Sequence, residues 1–304
     1  MAGIVEGKVA IVTGSGRGIG RAIAHLMAKE GARVVVVDIG ADLDGAGTDA
    51  GPAQAVVKEI EIAGGQAISS TLSITEPANA EKIVAAALKS FGRVDILVNN
   101  AGILRDRIFH KMSWVDWQDV LNVHLNGSFL MSRACAALFR EQNSGAFVHM
   151  TSTSGLVGNY GQANYIAAKL GLAGLSRAIA LDMAHFNVRS NAVAPFAWTR
   201  MIESIPAEGE IRKREIERHR PLSPEKIAQL VVYLASDRAK GISGQIFGVR
   251  GNEIYLFSQP RPVKTLKNPK GWTPATIAER VEAELGSALT PLEGTAEYFN
   301  WDPV

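Results

Sequence analysis

Between Val9 and Asp38 the chain is committed to one local arrangement. Val9-Ala-Ile-Val12 is a short apolar run, and Thr13-Gly-Ser-Gly-Arg-Gly-Ile-Gly20 follows it directly. A helix-like stretch, Arg-Ala-Ile-Ala-His-Leu-Met-Ala-Lys-Glu, comes next, then Gly31 and Arg33-Val-Val-Val-Val-Asp38. This is strand, Gly-rich turn, helix, strand. The strands of such a βαβ unit are parallel and buried on both faces, which is why they read as unbroken apolar runs. Gly14, Gly18 and Gly20 let the backbone turn tightly and approach a phosphate at the helix N-terminus, where free N–H groups and the helix dipole favour negative charge. Arg17 and Ile19 stand in the same loop.

Asp38 closes the second strand, 18 residues beyond Gly20. A carboxylate there accepts hydrogen bonds from an adenosine ribose and repels a 2′-phosphate, so the cofactor expected is NAD, with NADP less favoured. Arg17 softens that preference, because a guanidinium can meet a phosphate. A plain strand-end turn is the other reading of Asp38.

The alternation continues down the chain. Residues 53–63 and 76–91 read as helices, and residues 66–73 and 94–98 as strands, the second running into Asn99-Asn-Ala-Gly102. A strand end of this kind places Asn100, Ala101 and Gly102 at the crevice where parallel sheets bind cofactors. Residues 114–140 cover two helices. Strands are expected at 146–150, 187–193 and 245–249, with a helix at 225–234. The fold class is therefore α/β, a Rossmann-type doubly wound seven-stranded parallel sheet with helices on both faces.

Residues 1–254 are assigned to that domain and residues 255–304 to a C-terminal extension, which opens on a Pro-containing connector. Thr273-Pro274 starts a helix there, with Ile277, Val281 and Leu285 as an apolar stripe. Too small for its own core, the extension should dock on the domain or on a neighbouring subunit. The segment Glu210–Arg220 holds five Lys or Arg against three Glu. It reads as a solvated or mobile flap, or as a surface meeting the phosphates of a large acyl carrier.

Composition removes other classes. Lys plus Arg is 32 and Asp plus Glu is 30, a difference of +2 that gives no reason to expect nucleic-acid binding. No apolar run approaches 18 residues and the start lacks the features of a signal peptide, so no membrane span or export is expected. The single cysteine, Cys135, excludes an internal disulfide, suits a reducing cytoplasm and reads as a buried helix residue. Asp42-x-Asp44-Gly45 opens like a calcium loop but no glutamate closes it, so no metal site is expected.

Chemistry enters at Ser152 to Lys169. Tyr165 and Lys169 are four apart in a stretch of helical character and so share a face. A neighbouring ammonium favours phenolate over phenol, which should lower the Tyr165 pKa and give a proton acceptor near neutral pH. Ser152, thirteen residues earlier, can return across a Gly-containing turn to donate to the same substrate oxygen. A surface Tyr and a solvated Lys are the alternative, which holds only if the surrounding motifs are accidents.

Taken together, Thr13-Gly-x-x-x-Gly-x-Gly20, Asn99-Asn-Ala-Gly102, Ser152, Tyr165-x-x-x-Lys169 and Asn191-Ala-Val-Ala-Pro195 resemble the short-chain dehydrogenase/reductase family, in order and at its spacings. The resemblance implies hydride transfer between a nicotinamide and a carbinol or carbonyl carbon. It assigns Tyr165 as acid and base, and Lys169 as the residue that lowers its pKa and holds the nicotinamide ribose. Ser152 orients the substrate oxygen. Tyr165, Lys169, Pro195 and Thr199 join the cofactor set, as do Ser73 and Ile74, where many members carry an acidic residue near adenine. Homodimers or homotetramers are also implied.

Gly102-Ile-Leu-Arg-Asp-Arg, Val123-His-Leu-Asn-Gly-Ser-Phe and Gly158-Asn-Tyr-Gly-Gln-Ala-Asn-Tyr resemble the (3R)-hydroxyacyl-CoA dehydrogenase branch of that family. They point to an acyl-CoA substrate, a bulky steroid-derived acyl group among the candidates. A chain of 304 residues leaves no room for the hydratase domain that accompanies this branch. A free steroid or other hydrophobic alcohol is the alternative substrate, and a binding protein without turnover the remote one. His124 stands where many members place an Asn; it is either part of a water relay or a packed helix residue.

Overall fold

The computed structural model describes residues 2–42, 44–196 and 222–304. Thr199, Trp198 and the charged segment Glu210–Arg220 lie outside the described residues.

Eight strands form one sheet in the order β3-β2-β1-β4-β5-β6-β7-β8. They are β1 (Val9–Thr13), β2 (Arg33–Val37), β3 (Gln66–Ser70), β4 (Ile96–Asn99), β5 (Gly145–Met150), β6 (Val188–Phe196), β7 (Ile246–Arg250) and β8 (Glu253–Leu256). The first seven are parallel. β8 pairs antiparallel with β7, Gly248 opposite Tyr255 and Val249 opposite Ile254. The expectation of seven strands therefore missed one. Glu253-Ile-Tyr-Leu256 follows β7 across a two-residue turn, and its period-2 exposure (half-buried, exposed, half-buried, exposed) is that of a hairpin edge. The strand also crosses the 254/255 boundary drawn from composition.

Alternate residues of each inner strand face opposite layers. Ala10, Val12, Val34, Val36, Ile96, Val98 and Val148 join one core with Ile23 and Met27 of α1 (Gly18–Lys29), Val56 of α2 (Gly51–Ile62) and Val231 of α8 (Pro224–Ala235). On the other face Ile11, Val35, Leu97 and Phe147 meet Ile83 of α3 (Pro77–Phe91) and Met131, Cys135 and Phe139 of α5 (Gly127–Gln142). Each such buried Val, Ile, Leu, Met or Phe contributes about 1.5–3 kcal/mol. Cys135 is fully buried, and its thiol pKa is pushed up to about 12, so it has no thiolate chemistry.

The stretch expected as two helices is one interrupted helix. α4 (Trp114–Leu121) runs through a π-helical turn, Asn122–Asn126, straight into α5. The widened turn places His124 inside, 1% exposed, with Nε2 2.8 Å from the Ile103 carbonyl oxygen. Two further helices, α6 (Thr153–Leu156) and α7 (Ala163–Asp182), follow β5, and α9 (Pro274–Leu285) lies in the extension. None of the described helices is long and apolar enough to cross a membrane.

Candidate active site

The Gly loop is built against the end of β4. The Thr13 hydroxyl accepts from the Asn100 and Ala101 backbone N–H groups, at 3.0 and 3.1 Å. Asn100 Nδ2 donates back to the Thr13 and Gly14 carbonyl oxygens, at 3.0 and 2.9 Å. Gly20 sits so close that a Cβ would stand 2.1 Å from the Gly14 oxygen. Gly14 itself has φ +63° and faces the Ala101 backbone. Only glycine fits both places, and the loop is thereby held open toward the α1 N-terminus.

At the end of β2 the Asp38 carboxylate accepts from the Gly16 N–H and the Gly40 N–H, each at 2.7 Å. Both of its oxygens keep a lone pair for a further donor. Arg17 Nη1 donates to the Ala41 carbonyl oxygen at 3.4 Å, beside it. A cleft of about 910 Å³ joins these groups. Its lining includes the sequence-predicted Gly14, Arg17, Gly18, Ile19, Gly20, Asp38, Ser73, Ile74, Asn100, Ala101, Gly102, Tyr165, Lys169 and Pro195. Size, Gly cradle and ribose-facing carboxylate together fit a dinucleotide.

Past the end of β5 stand Ser152, Tyr165 and Lys169. Ser152 caps α6, its Oγ accepting from the Ser154 N–H at 3.1 Å, and its hydroxyl is near enough to Tyr165 to act on the phenol's pKa. Lys169, 4% exposed, donates from Nζ to the Met150 carbonyl oxygen at 2.6 Å. Its ammonium lies 5.5 Å from the Tyr165 ring centroid. The expectation that Lys169 lowers the Tyr165 pKa is not met. Burial pushes the phenol up to about 12, opposed by the Ser152 hydroxyl and reinforced by the Asp106 charge. Burial likewise lowers Lys169 to about 7, so near neutral pH its charge is only partly present to act on the phenol. Tyr165 is half-buried and keeps part of its surface open to the cleft.

His124 meets the Tyr165 ring edge-on, centroids 5.2 Å apart. Its pKa lies well below 6.5, through burial first and the Lys169 charge second. The short contact to the Ile103 oxygen fits the tautomer with hydrogen on Nε2, leaving a Nδ1 lone pair without a partner. A Cβ on Gly102 would collide with this ring at 2.2 Å.

Sequence reasoning missed Asn164. Fully buried beside Tyr165, it donates to the Arg105 and Asp116 carbonyl oxygens, both at 3.0 Å, and accepts from the Tyr165 N–H at 2.8 Å. An amide directly before the tyrosine was the one available signal. Asp106 was also missed. It accepts from Gln162 Nε2 at 2.7 Å, and its pKa is raised, by burial first. Arg105 is engaged by Asp119 at 3.0 Å and, more distantly, by Asp116.

Residues 14–251 match the family model described as enoyl-(acyl carrier protein) reductase. A putative short-chain type dehydrogenase/reductase of Mycobacterium tuberculosis, Rv0148, is 44% identical over 250 residues, 82% of this chain and 84% of that one. The chain belongs to the short-chain dehydrogenase/reductase family. A solved short-chain dehydrogenase from Mycobacterium avium superposes with a TM-score of 0.83 at 36% identity, covering 96% of this chain and 99% of the other. Peroxisomal multifunctional enzyme type 2 of Mus musculus is 41% identical over 279 residues, 91% of this chain. This short-chain dehydrogenase/reductase spans only 36% of the length of that relative.

Proposed function

We propose that the chain is an NAD-dependent dehydrogenase interconverting a secondary alcohol and a ketone on a 3-hydroxyacyl-CoA thioester. The observation that carries this reading is a single cleft lined by the Gly loop and Asp38 as well as by Tyr165 and Lys169. The motifs that resemble the (3R)-hydroxyacyl-CoA dehydrogenase branch, Gly102-Ile-Leu-Arg-Asp-Arg and Val123-His-Leu-Asn-Gly-Ser-Phe among them, support the acyl-CoA part.

The nicotinamide, when bound, supplies the acceptor or donor of a hydride. The chain's own residues manage the proton and the geometry. Ser152 Oγ donates to the substrate oxygen and fixes its distance from Tyr165. Tyr165 Oη takes the carbinol proton in oxidation and returns it in reduction. Lys169 holds the nicotinamide ribose, its ammonium 5.5 Å from the Tyr165 ring centroid. A water relay continues from Lys169 past His124, whose open Nδ1 faces no protein donor. Asp38 selects NAD over NADP, and Thr199 completes the cofactor set with Pro195. The assembly is a homodimer or homotetramer. α7 offers Gly174, where a Cβ would meet nothing within 4 Å, for close approach of a second copy.

The test is NADH formation with 3-hydroxyacyl-CoA thioesters beside the matching free alcohols and steroids, NAD and NADP in parallel. Turnover on thioesters with NAD is expected. Turnover on free alcohols alone would overturn the acyl-CoA assignment. In Tyr165→Phe, kcat should fall by about 10²–10⁴ while nucleotide binding persists.

A further inference from the structure

The C-terminal extension holds the chain at two points that adjoin site residues in sequence without lining the cleft that holds Asp38 and Tyr165. The first is the connection between Ser152 and Tyr165. Thr295 donates to the Gly158 carbonyl oxygen twice, from its backbone N–H and from Oγ1, both at 2.9 Å. Tyr160 donates its hydroxyl hydrogen to Glu297 Oε1 at 3.3 Å, and Glu297 Oε2 accepts from the Gly294 N–H at 2.6 Å. Gly158 has φ +138°, a backbone state that L side chains rarely adopt.

The second point is the end of β6. Phe299, 6% exposed, packs edge-on against Phe196 with centroids 4.8 Å apart, and Phe196 directly follows the cleft residue Pro195. Arg250, 5% exposed at the end of β7, fixes the arrangement. Its guanidinium carbon lies 5.8 Å from the Phe196 ring centroid and 5.4 Å from that of Trp301, and Nη2 donates to the Trp301 carbonyl oxygen. Glu253 faces the same guanidinium from β8, Oε2 3.8 Å from Nη1, so Arg250 joins this part of the tail to the β7–β8 hairpin.

We propose that residues Gly294–Trp301 are a positioning strap that sets substrate selection. It fixes the Gly158–Tyr160 connection and the Phe196 ring, so it decides which acyl groups reach Tyr165 in register. It takes no part in nucleotide binding. The choice of thioesters as probes rests on the function proposed above; the mechanical grip does not.

Thr295→Val, Phe299→Ala and the conservative Thr295→Ser are compared in the full chain. In the first readout, hydrogen exchange of residues 157–162 should speed up at least tenfold in Thr295→Val and Phe299→Ala. Exchange in the Gly loop should stay unchanged, and Thr295→Ser should behave as the parent. Unchanged exchange at 157–162 in Thr295→Val would overturn the strap, and that variant decides the matter if Phe299→Ala fails to fold.

The second readout is steady-state kinetics with 3-hydroxybutyryl-, 3-hydroxyoctanoyl- and 3-hydroxypalmitoyl-CoA. KM should shift by at least fivefold between the shortest and longest substrates relative to the parent, with the Kd for NADH within twofold. A uniform fall in kcat with unchanged length preference would overturn the selection role. If the parent turns over none of the thioesters, the functional reading fails, and the exchange readout still decides the strap.

Discussion

Lys169 Nζ and the Met150 carbonyl oxygen stand 2.6 Å apart in a pocket that leaves the lysine only 4% exposed. Burial brings its pKa down to about 7 from an ordinary 10.5. Between these values the unfolded chain holds a proton that the folded chain has released, so stability rises with pH across the window. Below pH 7 the ammonium is carried into the fold and the full penalty is present, on the order of 1.4 kcal/mol for each pKa unit. Lys169→Met should therefore raise the Tm of the nucleotide-free protein at pH 6.5, by about 5 °C or more. The gain should shrink by pH 9.5, and turnover should be lost. Scanning calorimetry at the two pH values checks the sign.

Asp38 holds the Gly16 and Gly40 N–H groups on its two oxygens. Asp38→Ala removes the negative charge and leaves both donors, with Arg17 nearby, facing the place of a 2′-phosphate. The NAD-to-NADP ratio of kcat/KM should fall by at least about tenfold, chiefly through a lower KM for NADP. An unchanged ratio would reduce Asp38 to a strand-end turn residue.

Asn164 ties three elements through one buried amide. Asn164→Ala strands the Arg105 and Asp116 carbonyl oxygens, at a cost of about 1–3 kcal/mol. Asn164→Asp should cost more, because a carboxylate would then face two acceptors. Thermal melts of the two variants, ranked against the parent, test this order.

The sheet was legible because parallel strands buried on both faces leave runs such as Arg33-Val-Val-Val-Val, and because Gly20 has a reason to be glycine that backbone geometry alone supplies. The cleft followed from the same motifs. Less legible were features that depend on distant partners. β8 is too short and too exposed to stand out from the connector after it. Asn164 looks like any polar residue in a first helical turn until the Arg105 and Asp116 carbonyl oxygens arrive from elsewhere in the chain. The Tyr165–Lys169 spacing predicts shared helix face, which the structure has, but says nothing about water. Depth of burial, not spacing, decides which way each group titrates.

The π-turn at Asn122–Asn126 lets one side chain be placed without disturbing the helices on either side of it. A regular helix advances the azimuth by about 100° per residue, and a π-turn takes up one extra residue within a single turn, so the flanking segments keep their phase. Deleting the extra residue would restore uniform winding and leave the Met131–Cys135–Phe139 row on the sheet. The change would fall on the turn itself, where His124 reaches Ile103. The winding defect is a local insertion that alters the reach of one ring and spares the rows that build the core.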